Sequence, residues 1–166
     1  MIFVPTLCLA AEIPDKPLAQ KGEMIFSDDF EREDLGEWKT IIPAFTVKDG
    51  VLKGEQAKDD HGAVGRVYRP MKNVIVEFKF KLDGSKQFNV VFDDKNHKGS
   101  HAGHIVRVAF APTQIRLGDD KEGIMRNDIF KMRRDPAQNT ASIKLLEGRG
   151  FVANTKVEPG QWHDVV

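Results

Sequence analysis

Cysteine is almost absent from this sequence. The 166 residues include one cysteine, Cys8, which lies in the apolar opening segment that we interpret below as a signal peptide. Removal of that segment leaves a chain without cysteine, so disulfide bonds cannot support its fold. Its stability must therefore come from the burial of apolar side chains.

Net charge and tryptophan are also scarce. Lysine plus arginine equals aspartate plus glutamate at 25 each, so no overall field attracts nucleic acid or an anionic membrane surface. The aromatic residues are 11 phenylalanines against two tryptophans and one tyrosine, which favours a sheet interior over a groove that stacks sugars or bases. We therefore predict no nucleic-acid partner.

The opening apolar run, Met1–Ala11, is too short to span a membrane, because a spanning helix needs about 20 residues. It ends in small residues before Glu12, as a secretory signal does, but lacks a basic start. We interpret it as an incomplete signal peptide, residues 12–23 as a linker and residues 24–166 as one domain that is periplasmic or secreted. Residues 161–166 begin like a strand and stop without a turn, so we expect that the last strands are missing.

Short apolar stretches separated by turn residues predict an all-β fold. Asn73–Asp83 alternates between apolar and mostly charged residues, and Gln87–Asp94 and His104–Phe110 alternate in the same way. A period of two is typical of strands with one buried face. We predict that these three segments are central antiparallel strands. The aromatic residues expected in the core are Phe78, Phe80, Phe92 and Phe110.

Turn and cap residues predict one hairpin and one helix. Asp49-Gly50 lies between two apolar segments, and a primed turn needs the positive φ that glycine supplies. Asp135 followed by Pro136 has the composition of a helix start, and Gly148 that of its end. We expect one short surface helix there, with Ile143 among its apolar residues.

The segment Phe26–Trp38, followed by Phe45–Leu52, resembles the opening of the 3-keto-disaccharide hydrolase family of bacterial jelly-roll domains. That family begins with F-x-D-x-F…L-x-x-W and W-x-V-x-D-G-x-L, and Val74–Phe80 and Pro159–His163 resemble its later strands. The resemblance implies a jelly-roll β-sandwich of the concanavalin A-like lectin and glucanase type. It also implies hydrolysis or elimination of 3-keto-glycosides, in which the oxidised C3 acidifies the proton at C2. The chain departs from the family at Phe45, where many members have tryptophan.

The candidate catalytic residues follow from the same alternation. Asn89, Asp93 and Arg107 are expected on one side of two strands, and a charged pair in mid-sheet needs a partner or a ligand. Asp93 is a candidate general base, and Arg107 a candidate donor that polarises a carbonyl. The alternative is a simple cross-strand salt bridge between Asp93 and Arg107. Asn89 is assigned to substrate binding.

Three histidines fall in the connection between these strands. His97, His101 and His104 are spaced four and three residues apart, and imidazole can bind zinc or exchange protons near neutral pH. We assign His101 a catalytic role and the other two substrate binding, with an ordinary surface loop as the alternative. A calcium site that uses Asp28-Asp29 or Asp119-Asp120 is a further possibility.

The strand with paired carboxylates that laminarinase-like glycosidases of this fold use has no counterpart in the sequence, since no Glu-x-Asp-x-x-Glu pattern occurs. The expected partner is a carbohydrate or an oxidised disaccharide. Two classes of function remain open beside catalysis: a non-catalytic glycan-binding module and a laminin-G-like interaction module.

Overall fold

The computed structural model describes Lys16, residues 18–56 and residues 61–166. The segment interpreted as a signal peptide lies outside the described residues. Antiparallel β-strands make up most of the described secondary structure, with two short helices, which confirms the prediction of an all-β fold. The chain divides into two compact units, Ala19–Ile75 and Val76–Val166.

The first unit consists of two strand pairs. β1 (Lys39–Ile42) pairs with β4 (Val64–Arg66), and β2 (Phe45–Lys48) pairs with β3 (Val51–Gly54), both antiparallel. Among the described residues of this unit, the one buried apolar side chain is Val47, at 5% exposure. The apolar core of the first unit is therefore small.

The predicted hairpin is confirmed in the pair β2–β3. Lys48 lies opposite Val51, so Asp49 and Gly50 form the two-residue turn. Both have positive φ, 53° and 69°, which is the conformation that a turn of this primed type requires.

Asp28 ties together the segment before β1. Its carboxylate accepts hydrogen bonds from the Arg32 guanidinium (2.5 and 2.8 Å), from the Trp38 indole N–H (3.0 Å) and from the Phe30 amide (2.9 Å). These contacts hold Phe30 at a φ of 58°. The acidic and aromatic residues of the opening motif therefore have a structural role in this chain.

The second unit contains a four-stranded antiparallel sheet and a separate strand pair. The sheet has the order β6-β7-β8-β9, and β5 pairs with β10. The strands are β5 (Phe78–Phe80), β6 (Phe88–Asp93), β7 (His104–Ala111), β8 (Gln114–Asp119), β9 (Gly150–Asn154) and β10 (His163–Val165).

The main core lies between one face of this sheet and the strand pair. Phe80 and Phe110 are buried at its centre, with ring centroids 4.9 Å apart. The other buried or partly buried members of this cluster are Leu82, Val157, Phe78, Val90, Val108, Ile115 and Val165. The second unit is thus built of two β layers.

Two strand predictions need correction. Asn73–Asp83 forms a strand over Phe78–Phe80 alone, and Val74 and Val76 are 39% and 36% exposed. Gln87–Asp94, predicted to be a central strand, contains β6, which is an edge strand of the four-stranded sheet. Phe92, expected in the core, is only partly buried. The alternation of apolar and polar residues predicts which side chains share a face of a strand. It does not predict whether a second layer covers that face.

The helix prediction was wrong in number and in start. The described residues form two α-helices, α1 (Asn127–Arg134) and α2 (Asn139–Leu145), and a short 3-10 helix over His101–Gly103. Asp135 ends α1, because its N–H bonds the carbonyl of Met132 and its carboxylate accepts from the Ala137 amide in the turn that follows. Within the described ranges, neither helix is long and apolar enough to cross a membrane.

Candidate functional site

The face of the four-stranded sheet opposite the core is polar. Residues directly opposite each other on paired strands share a face, and the register places Arg107 opposite Val91 and Gly118. Gly118 lies in turn opposite Gly150. We call this side the polar face; its long polar side chains are Asn89, Asp93, Arg107 and Arg116. The sheet alternation thus places Asn89, Asp93 and Arg107 on one side, as the sequence predicts.

A β-bulge sets the geometry at one end of this face. The pairing of β6 with β7 shifts after Phe92, so that Asp93 lies opposite His104 and Ile105 is the extra residue. The carbonyl of Ile105 accepts the N–H groups of Asp120 and Lys121, each at 3.0 Å. Bulges often redirect side chains beside functional sites, and this one places Asp93 opposite His104.

Asp93 and His104 form a close pair. Nδ1 of His104 lies 2.5 Å from Oδ1 of Asp93, and the two side chains are 16% and 19% exposed. Such a contact fixes the ring orientation of the histidine. An imidazole held by a carboxylate is an arrangement that can accept and donate protons.

Arg107 is paired with Asp120. Its Nε and Nη2 lie 3.1 and 3.0 Å from Oδ2 of Asp120, whose side chain is 1% exposed. Burial raises the pKa of Asp120, and the charges of Arg107 and His104 oppose that rise. The alternative to a site was a cross-strand salt bridge between Asp93 and Arg107, and the structure shows two neighbouring pairs, Asp93–His104 and Arg107–Asp120.

The histidine connection, residues 94–103, folds back on itself. Asp94 donates its N–H to the Gly103 carbonyl at 2.9 Å, and a Cβ on Gly103 would lie 2.4 Å from the Asp94 carbonyl oxygen. Asn127, the first residue of α1, fixes the middle of the connection. Its backbone N–H donates to the Gly99 carbonyl at 3.0 Å, and its side-chain amide donates to the Lys98 carbonyl at 2.7 Å. The connection is a folded loop with its own hydrogen bonds.

The three histidines of this connection have different surroundings. The ring of His101 stacks on Phe130, with centroids 4.2 Å apart, and its centroid lies 6.2 Å from that of His104. His97 is half-buried, and its Nε2 has no hydrogen-bond partner among the described residues. No group of three His, Cys, Asp or Glu side chains is arranged to hold a metal ion in the ranges that the structure describes.

A second polar set lies further along the polar face. Arg116 donates to Oε1 of Gln87 at 2.5 Å, and Gln87 donates to Oδ1 of Asn89 at 2.8 Å. Sequence reasoning assigned Asn89 to substrate binding but did not connect it with Arg116. The alternation of Gln114–Leu117 carries the signal, because it places Arg116 on the side opposite Ile115.

A concavity of about 560 Å³ lies in the first unit. Its lining residues are Glu33, Asp34, Leu35, Phe45, Thr46, Val47 and Lys48. Asp34 is held by Arg32, whose Nε lies 3.2 Å from the carboxylate. We place the candidate site on the polar face instead, because that is where an acid, an imidazole and a guanidinium meet.

No family model, curated protein or solved structure matches this chain. The assignment of the candidate site is therefore supported by the geometry of its side chains alone.

Proposed function

We propose that this chain acts outside the cytoplasm, binds carbohydrate on its polar face, and hydrolyses or eliminates 3-keto-glycosides there. The observation that carries the proposal is the 2.5 Å contact between Asp93 and His104. Both residues lie close enough to Asp120, the partner of Arg107, to influence its pKa. A proton acceptor and a guanidinium donor thus belong to one cluster.

The Asp93–His104 pair supplies the base. When Nδ1 of His104 carries the ring proton and hydrogen-bonds to the Asp93 carboxylate, Nε2 is the basic nitrogen of the ring. A ketone at C3 acidifies the proton at C2, so this nitrogen can remove it. Asp93 then stabilises the imidazolium that forms, as a carboxylate beside a catalytic histidine does.

Arg107 supplies the electrophile. A guanidinium beside the C3 oxygen stabilises the negative charge that develops there as the C2 proton leaves. The electron pair of the C2–H bond then forms the second C1–C2 bond, and the bond from C1 to the glycosidic oxygen breaks. The imidazolium returns its proton to that oxygen. Addition of water across the new double bond completes a hydrolysis.

A non-catalytic glycan-binding module is the second candidate. The specific observation that favours it is that each charged pair satisfies itself, since Arg107 neutralises Asp120 and His104 binds Asp93. Such pairs can simply stabilise a sheet whose neutral amides bind sugar hydroxyls. A laminin-G-like interaction module would use the same fold without a sugar.

Turnover of 3-keto-trehalose distinguishes these functions. We expect Asp93→Asn to lower kcat/KM by about 100-fold or more, because it removes the carboxylate that supports the base. The same variant is expected to keep its free energy of unfolding within about 1 kcal/mol, because Asp93 is not part of the core. Asp83→Asn, an exposed acid outside this face, is the matched control.

Arg107 needs a conservative change. Arg107→Met strips the buried Asp120 of its partner, which lowers stability by about 3 to 5 kcal/mol, so a loss of activity would not be informative. Arg107→Lys keeps the charge but loses the planar fork. We expect turnover to fall while the fold persists. Retention on polysaccharide without product identifies a glycan-binding module. If the chain gives no product and is not retained on polysaccharide, the carbohydrate function is overturned.

A further inference from the structure

The set formed by Arg116, Gln87 and Asn89 has no role in the proton transfer described above. Arg116 is exposed and lies opposite Ala109, which in turn lies opposite Asn89. Arg107, which lies opposite Gly118, belongs to the next residue pair on the same face, two residues from Ala109 along β7. Two residues along a strand span roughly 7 Å, so Arg116 lies within reach of a sugar unit next to one held at Arg107.

Charge distinguishes Arg116 from the other ionisable groups of the polar face. Arg107 faces the carboxylate of Asp120, and Asp93 faces His104. Arg116 donates instead to the neutral amide of Gln87, and it forms no ion pair with a carboxylate in the described ranges. The polar face therefore carries one positive charge that no acid of this face neutralises.

The neighbours of Arg116 suit a sugar ring. Ala109 lies between the longer side chains of Asn89 and Arg116 and is 4% exposed, so these neighbours cover it. Val152, opposite Arg116 on β9, is 51% exposed and offers an apolar contact for ring carbons. The Gln87–Asn89 amide chain orients the guanidinium and leaves donors and acceptors for hydroxyl groups.

We propose that Arg116, Gln87 and Asn89 form a subsite for a sugar that carries a carboxylate, so that the preferred glycan contains uronate. The planar guanidinium matches a carboxylate with two parallel hydrogen bonds. A neutral sugar would leave that charge without an anionic partner. This inference rests on the proposed carbohydrate function and names its substrate class.

The test compares two ligands that differ only in charge: trigalacturonate and its carboxyl-reduced, neutral form. Calorimetric titration of the full chain at low salt is expected to show that the acidic form binds at least about tenfold more tightly. Arg116→Gln is expected to remove that preference, since glutamine keeps a polar side chain without the charge. Arg133→Gln, an exposed arginine on α1, is the matched control and should retain the preference.

Each outcome has a defined meaning. Equal binding of both ligands by the unmodified chain, or a preference that survives Arg116→Gln, overturns the uronate subsite while the carbohydrate function stands. Binding of neither ligand contradicts the subsite as well. A charge preference that depends on Arg116, in a chain that leaves 3-keto-trehalose unchanged, supports the subsite and contradicts catalysis on that neutral disaccharide.

Discussion

Asp28 accepts hydrogen bonds from Trp38, Arg32 and the Phe30 amide, so this one carboxylate joins most of the opening motif. The Arg32 contacts are the largest cause of the fall in the pKa of Asp28 from 3.8 to about 2. Its ionised form is therefore stabilised in the folded chain. At the scale of single residues, the opening motif is explained by folding without any reference to catalysis.

We expect Asp28→Asn to lower the free energy of unfolding at neutral pH by about 2 kcal/mol, because the bonds it loses involve a charged acceptor. A carboxylate with a depressed pKa stabilises the fold fully above its unfolded value of 3.8 and loses this effect as the pH falls towards about 2. Urea unfolding over that range should show the two proteins converging. Glu33→Gln, an exposed neighbour, is the control, and an unchanged difference at acidic pH would contradict the assignment.

The surroundings of Asp120 are set by tertiary contacts. It follows the end of β8, and its position is set by the backbone of Ile105 on the neighbouring strand. Its Oδ1 is buried without a partner among the described residues. The sequence suggested a calcium ligand at this point, but it could not show that the carboxylate lies against Arg107, because that contact joins two strands.

At the scale of elements, the turn Asp49-Gly50 behaved as its residues predict. Its conformation depends on positive φ, which is a local property of two adjacent residues. The helices behaved differently. Ile143 is 61% exposed in α2, whereas Ile129 of α1 is fully buried, so the buried helical isoleucine lies in α1, outside the segment where the sequence predicted a helix.

Gly50→Ala tests the turn. Alanine at a φ of 69° is expected to cost about 1 to 2 kcal/mol, the penalty of a left-handed conformation for a residue with Cβ. Chemical denaturation measures the change. Gly62→Ala is the control, because a Cβ at Gly62 meets no atom within 4 Å and its φ is not positive. Equal stability of the two variants would mean that the turn does not constrain the fold.

At the scale of the whole molecule, stability depends on the core between the sheet and the pair β5–β10. The rings of Phe78, Phe80, Phe88 and Phe110 contact one another there, with centroids between 4.9 and 6.1 Å apart. Further out on the same face, Leu117 and Phe151 are 46% and 47% exposed. Burial is therefore concentrated at β5, β6 and β7.

Phe80→Ala is expected to lower the free energy of unfolding by about 3 to 5 kcal/mol, as truncation of a core phenylalanine does. Phe151→Ala, on the exposed part of the same face, should cost under about 1 kcal/mol. Thermal and urea unfolding of both variants measures the difference. A small cost at Phe80 would place the core elsewhere.

The candidate site was predictable in part. Alternation along β6 and β7 placed Asn89, Asp93 and Arg107 on one face, because a strand repeats every two residues. Alternation could not provide the bulge at Ile105, which shifts the register so that His104 meets Asp93. The sequence left open whether Asp93 pairs with Arg107, and the structure pairs Asp93 with His104 and Arg107 with Asp120.

The sequence alone determined the all-β class, the β2–β3 hairpin and, away from the bulge at Ile105, the face on which strand residues lie, because these follow from local backbone preferences and a short period. Tertiary structure decided which of those faces is covered, how long each strand is, and which charges pair. These features depend on contacts between segments far apart in the chain. Arg107 and Asp120 are the clearest case, since a bulge and a neighbouring strand bring them together and burial makes their pairing necessary.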